Sequence, residues 1–125
     1  MTESSAAVIS TLRDYSHANI EQAKDFALEA VRILTDEEST MSELFLSDLA
    51  DANGRAAGSY RILEQIDSMQ TSGLDEAAAM EMMLNQLRLM LGNLFNPAGH
   101  TETLRVLYHA IRTLEVAVQM DSSAD

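Results

Sequence analysis

The segment AAAMEMMLNQLRLMLGNLF, residues 77–95, is the longest strongly apolar stretch of this chain. Thirteen of its nineteen residues are apolar, and four of the chain's eight methionines lie in it. Its apolar residues recur at steps of three and four, which is the spacing of an α-helix with a buried face. The segment therefore predicts a central, largely buried helix against which the other helices pack.

Most apolar residues of this helix share one broad face. We interpret that face as the side toward the core; its residues are Ala79, Met80, Met83, Leu84, Leu87, Met90, Leu91 and Leu94, with Phe95 at the margin. Met82 and Leu89, seven residues apart, fall on the opposite face. A helix that packs on one side only should be polar there. These two residues therefore predict a contact outside the core of the monomer.

The composition favours an all-helical domain. With 125 residues, of which 46% are apolar and 22% charged, the chain is long enough for one globular core. Three Tyr, three Phe and no Trp leave that core to aliphatic side chains and methionine. One proline and five glycines leave little material for β-turns. We expect a single helical domain over residues 1–125.

Periodicity and capping signals divide the chain into four predicted helices, at about 5–34, 40–70, 74–93 and 101–120. Thr35, Ser72 and Thr101 lie at helix boundaries and are suited to capping. Residues 1–4 and 121–125 are expected to fray. The short connections predict an up-and-down four-helix bundle, made of a long hairpin from the first two helices and a shorter hairpin from the last two.

The second predicted helix contains Asn53 and Gly54, a pair that is typical of turns. We predict one continuous helix, because apolar residues keep the helical phase on both sides of the pair. Small residues would allow a close crossing with the first helix. The residues expected there are Ser16, Asn19 and Ala23 of the first helix and Ala52, Arg55 and Gly58 of the second. Asp51 and Arg55, four residues apart, are interpreted as an ion pair at this crossing.

The fourth helix has the clearest heptad of the chain: Leu104, Leu107, Ile111, Leu114 and Val118. Other apolar residues lie off that heptad, around His109. With the two outward residues of the third helix they form a predicted partner-binding surface: Met82, Leu89, Val106, His109, Val116 and Met120. A two-fold homodimer is the simplest use of such a surface, since it needs only one self-complementary patch. The alternative interpretation is scattered exposed apolar residues, which are common.

The charge is strongly acidic, with eight Lys and Arg against twenty Asp and Glu and a net charge of −12. Direct binding to nucleic acid or to an anionic membrane would require a basic face, so we expect neither. A basic protein partner or mimicry of a nucleic acid fits the charge, and so does solubility alone.

Six of the acids lie near one end of the long hairpin: Asp36, Glu37, Glu38, Glu43, Asp48 and Asp51. We predict that they form a docking surface for a basic partner. The alternative is that they compensate a helix dipole and keep the chain soluble.

Residues that would support catalysis are scarce. The chain lacks the short motifs of hydrolases, phosphate-binding loops and zinc proteases. Asp14 and His17 have the i, i+3 spacing of a metal pair, but His17 falls on the charged face of its helix. We expect no catalytic residues, no metal and no cofactor. A carboxylate and histidine metal-binding bundle is the third hypothesis, after the two given below.

The chain has no cysteine, and its first residues, MTESS, lack the basic and apolar regions of a signal peptide. No apolar run approaches the ~18 residues of a membrane span. We therefore expect a cytoplasmic location. The leading hypothesis is a non-enzymatic protein–protein interaction factor, an adaptor, inhibitor or chaperone-like protein. The alternative is a nucleic-acid-mimicking inhibitor of a DNA- or RNA-binding protein.

Overall fold

A computed structural model of the chain describes residues 2–36, 38, 40–93 and 101–124, with side chains from Ser5 to Gln119 within those ranges. These residues form four helices and no strand: α1 (Thr2–Thr35), α2 (Glu43–Gln70), α3 (Glu76–Gly92) and α4 (Thr101–Ala124). The predicted all-α four-helix bundle is confirmed. Leu94, Phe95 and His100, which the sequence placed at the end of the third helix and in the loop after it, lie outside the described residues.

Contacts between helices fix the directions of the chain. α1 and α2 are antiparallel, since Asn19 donates to Ser59 at 3.1 Å and the earlier Arg55 donates to the later Gln22 at 3.0 Å. α3 returns from α2 after a short turn. α2 and α4 are parallel, because Gly54 lies beside Thr103 and Gly58 beside Val106. The bundle is therefore up-and-down.

Helix α2 is continuous through Asn53 and Gly54, as predicted. It begins at Glu43 rather than near 40, because the Ser42 hydroxyl accepts the amide hydrogen of Phe45 at 3.1 Å and so caps the helix. The glycines have a different role from the predicted one. A Cβ atom at Gly58 would lie 3.0 Å from Val106 Cβ, so this glycine allows α4, and not α1, to approach α2 closely.

Several helix ends differ from the prediction. α1 begins at Thr2 and α4 continues to Ala124, beyond the predicted bounds, and the fraying of the ends stays a prediction. No glycine or proline occurs before residue 54 or after residue 99 to stop these helices. α3 is capped by Asp75, which accepts the Ala78 amide hydrogen at 2.9 Å, and not by Ser72.

The turn between α2 and α3 explains that difference. Ser72 is already used there, because its hydroxyl donates to Met69 O at 2.8 Å and accepts from the Leu74 amide at 3.2 Å. Gly73 follows in the left-handed region, at φ +75°, where a side chain would be strained. The chain can therefore begin α3 only after this turn.

The main core is built by all four helices. Its largest fully buried side chains are Leu12, Ile62, Ile66, Met83, Leu87, Val106, Leu107 and Leu114. The predicted core faces of α3 and α4 are confirmed, with Met83, Leu87 and Leu114 at 0% exposure. We call this four-helix part of the molecule the body.

A second, smaller cluster lies nearer the turn between α1 and α2 and contains residues of these two helices only: Ile20, Ala23, Ala52 and Ala56, with Phe26 and Leu63 packed against it. The pairing of Ala23 with Ala52 agrees with the predicted small-residue crossing. A buried polar layer lies near the boundary between the two clusters. In it Asn19 donates to the fully buried Ser59, and the hydroxyl of the fully buried Ser16 has no hydrogen-bond partner.

Candidate protein-docking site

The long hairpin extends beyond the start of α4. α4 begins beside Gly54, where the Thr103 hydroxyl donates to Gly54 O at 2.8 Å. Residues 43–53 of α2 therefore lie beyond the start of α4, a length of roughly 16 Å at the rise of an α-helix. Residues 24–35 of α1 run beside them. We call these two segments, with the described residues between them, the hairpin tip.

Large apolar side chains are exposed at the hairpin tip. Ten large apolar or tyrosine side chains of the described residues are exposed, and five of them lie between residues 28 and 46: Leu28 (70%), Val31 (59%), Leu34 (75%), Leu44 (73%) and Leu46 (47%). The concentration is unusual, because exposed apolar residues normally occur singly over a surface. The hairpin tip thus contains half of the exposed large apolar or tyrosine side chains of the described residues.

Two aromatic rings connect α1 and α2 within the tip. The rings of Phe26 and Phe45 contact each other, with centroids 5.8 Å apart and planes tilted by 54°. Both side chains are half-buried. They join the two helices beside the smaller cluster, to which α3 and α4 contribute no residue.

The predicted acidic residues lie at this same end. Glu38, Glu43, Asp48 and Asp51 are exposed. The Asp36 carboxylate accepts the Glu38 amide hydrogen at 3.0 Å and shapes the turn after α1. Glu37 lies outside the described residues. The sequence therefore placed this acidic surface at the correct end of the hairpin, whereas its role in docking stays a prediction.

Both basic side chains of the tip are paired with neighbouring acidic side chains. Residues 24–53 contain eight acids and two bases, Lys24 and Arg32. Lys24 lies 3.5 Å from Glu21, and Arg32 Nε donates to Glu29 at 3.0 Å. That hydrogen bond from Arg32 lowers the pKa of the Glu29 carboxyl. The tip is therefore strongly negative around its apolar side chains.

Arg55 connects three helices at the base of the tip. Its guanidinium lies 3.4 Å from Glu102 of α4 and donates to Gln22 of α1 at 3.0 Å. The predicted local pair with Asp51 is therefore not the interaction that Arg55 makes. Glu102 faces α2 from the first turn of α4, while Asp51 is exposed.

The predicted surface on α3 and α4 is only partly a surface. Val106 is 1% exposed and belongs to the main core, so its interpretation as an outward residue is wrong. Gly58 is the reason, because the missing side chain on α2 creates the space that Val106 fills. A helical wheel of α4 alone contains no information about a glycine on another helix.

The remaining residues of that surface differ in their exposure and contacts. Leu89 (59%) and Val116 (51%) are exposed, and Met82 is half-buried. Val116 lines a groove between α3 and α4 with Arg88 and Glu115, but Met82 and Leu89 do not line it. His109 is exposed and packs on Tyr15 of α1, with ring centroids 4.4 Å apart. The side chain of Met120 is outside the described part of the chain.

The described residues also bear on metal binding and on membrane insertion. Within ranges 5–36, 40–93 and 101–119, no group of three or more His, Asp or Glu side chains is arranged to hold a metal ion. His17 is exposed on α1. None of the described helices combines the length and the hydropathy of a membrane span.

The chain was compared with protein-family models, with curated proteins and with solved structures, and none of them matches it. The candidate site therefore depends on the geometry and chemistry described above. The sequence missed its apolar part, because Leu34 and Leu44 fit the core stripes of their helices. The unequal lengths of the two predicted hairpins were the available signal, since the end of a longer hairpin has no neighbours in a bundle.

Proposed function

We propose that this protein is a non-enzymatic interaction factor, an adaptor or inhibitor, that binds a protein partner at the hairpin tip. One observation carries the proposal: five large apolar side chains are exposed there, among them Leu34 at 75% and Leu44 at 73%. Burying a leucine side chain stabilises a contact by about 1.5–3 kcal/mol. A partner that covered several of them would gain the core of an interface.

The chemistry of the tip supports binding rather than catalysis. Leucine and valine side chains transfer no protons and form no covalent intermediates, so their contribution is apolar area. The surrounding carboxylates would direct a basic partner to that area and exclude acidic ones. The acidic part of this site agrees with the sequence prediction, and the apolar part lies on α1 and α2 instead of α3 and α4.

The density of carboxylates favours a second candidate, in which the tip imitates a nucleic acid and blocks the basic cleft of a DNA- or RNA-binding protein. Salt distinguishes the two. Binding through charge alone weakens steeply as salt rises, whereas an apolar contact does not. The exposed leucines favour the first candidate, because phosphate-like mimicry needs no apolar side chains.

Self-association through Leu89 and Val116 remains a separate prediction. Both side chains are exposed, although they do not line one groove. Light scattering measures it directly: a dimer should become a monomer in the Met82→Glu, Leu89→Glu variant.

Affinity capture from cells that express the protein, followed by mass spectrometry, tests the docking site. We expect proteins that the native chain retains at high salt and that the Leu34→Glu, Leu44→Glu variant loses. The Tyr60→Glu, Tyr108→Glu variant is the matched control, since it adds the same charge at exposed positions of the body. Equal capture by the native chain and the tip variant would contradict the proposal. Circular dichroism checks that every variant is folded.

A further inference from the structure

We propose that the occupant of the hairpin tip is an amphipathic helix with basic flanks, which docks in line with α4 and continues the bundle over α1 and α2. This inference rests on the proposed function and names the chemistry of the partner. It follows from the two rows of residues that face α4 in the body and continue into the tip.

The first row lies on α2. In the body, Gly58 and Gly54 face α4, at Val106 and Thr103 respectively. Residues at alternating steps of three and four share one face of a helix. From Gly54 the row continues to Asp51, Ser47 and Leu44. Leu44 therefore lies on the face of α2 that α4 covers in the body. It is 73% exposed because α4 begins only at Thr101.

The second row lies on α1. Tyr15 contacts His109 of α4. Gln22 accepts a hydrogen bond from Arg55, which also forms an ion pair with Glu102 of α4. The same steps lead from Gln22 to Phe26, Glu29 and Ile33. Phe26 and Ile33 are half-buried. Phe26 of this row contacts Phe45 of α2, and we call the surface between the two rows the groove.

The shape of this groove fits a helix. In the body a helix already packs on the same two faces, and a helix of about three turns would cover the roughly 16 Å of the tip. Leu44 and Ile33 would meet its apolar stripe. Recognition of an amphipathic helix in an apolar groove is a common mode of peptide binding.

The charge of the groove decides what flanks that stripe. Asp48 and Asp51 are exposed beside Leu44, and residues 24–53 contain eight acids against two bases. Both bases are paired with acids of their own helix. A second copy of this chain would bring like charges together, which is destabilising at an interface. Lys and Arg beside the apolar stripe complement the groove instead.

A synthetic peptide of about 18 residues tests the inference, with Leu on one helical stripe and Lys at the other positions. Its affinity is measured by titration calorimetry at about 0.15 M salt. We expect binding to the native chain and a loss of at least about tenfold for Leu44→Glu. Tyr60→Glu is the matched control: it adds the same charge at an exposed position of α2 in the body, outside the tip, and should change the affinity by less than about twofold.

Charge is tested separately. Asp48→Asn with Asp51→Asn should weaken binding more at low salt than at high salt. Glu64→Gln with Asp67→Asn removes the same charge from exposed positions of α2 in the body and should have a smaller effect. A peptide of the same composition, scrambled to destroy the stripe, should bind more weakly than the amphipathic one.

Three results would overturn the inference: equal binding of the scrambled peptide, equal losses for Leu44→Glu and Tyr60→Glu, or no binding of the amphipathic peptide. The proposed function survives any of these if capture from cells still depends on Leu34 and Leu44. If that capture is also independent of the tip, the docking site itself is wrong.

Discussion

The body and the hairpin tip are parts of the same two long helices, yet their apolar residues have opposite surroundings. In the body, Leu12 of α1 and Ile62 of α2 are 0% exposed, because α3 and α4 complete the core around them. In the tip, Leu34 of α1 and Leu44 of α2 are 75% and 73% exposed. The comparison shows that an amphipathic stripe is buried only where neighbouring helices reach it.

The two regions also differ in how their helices are held together. The body has a continuous aliphatic core from four helices, whereas the buried apolar residues of the described tip are Ala30 and Ala52, together with the half-buried rings of Phe26 and Phe45. Ser16 and Ser59 of the body form part of a buried polar layer. Regions with fewer buried apolar contacts open at lower free energy. The tip is therefore suited to adapt to a partner while the body keeps the fold.

The largest expected difference is between two leucine truncations. Leu114→Ala in the body should lower the free energy of unfolding by about 2–5 kcal/mol, because the side chain is 0% exposed and leaves a cavity. Leu34→Ala in the tip should change it by less than about 0.5 kcal/mol. Urea denaturation of both variants measures the difference. Similar losses at the two positions would mean that the tip is a second core, and the comparison would no longer hold.

A smaller difference is expected between two glycines. Gly58→Ala gains about 1 kcal/mol of helix propensity but places a Cβ atom 3.0 Å from Val106 and 3.1 Å from Thr103 O, so a net loss of about 1 kcal/mol is expected. Gly92→Ala meets nothing within 4 Å and should be neutral or slightly stabilising. Thermal unfolding compares the two.

A double-mutant cycle assigns the cause. Val106→Ala should be less destabilising in the Gly58→Ala background than in the native chain, since it removes Val106 Cγ1, one of the atoms that the new Cβ meets. Additive effects would show that contact with Val106 Cγ1 does not restrict residue 58.

The smallest effects on the free energy of unfolding are expected at the buried polar layer of the body, near the boundary between the main core and the smaller cluster. Ser16→Ala removes a buried hydroxyl without a hydrogen-bond partner and should stabilise the protein by about 1 kcal/mol. Ser59→Ala leaves Asn19 without its acceptor and should destabilise it by about the same amount. Amide hydrogen exchange along residues 20–34 would show whether either change alters opening of the tip. Equal effects of the two substitutions would argue against a specific polar layer.

The sequence by itself determined the number of helices, the core faces of α3 and α4 and the end at which the acids lie, and it favoured one continuous α2 over two short helices. These features depend on local information, because an apolar residue every three or four positions implies a buried face whatever packs against it. The cap of α3 is an exception: the sequence predicted Ser72, and the turn around Gly73 places Asp75 at the cap instead.

Only the tertiary structure decided which apolar stripes are covered. It buried Val106 through a glycine on another helix, paired Arg55 with Glu102 instead of Asp51, and left Leu34 and Leu44 in solvent beyond the start of α4. The physical reason is that burial is a relation between elements far apart in the chain. A period of 3.6 residues gives the direction of a side chain on its own helix, but the length and position of the neighbouring helices determine what that side chain meets.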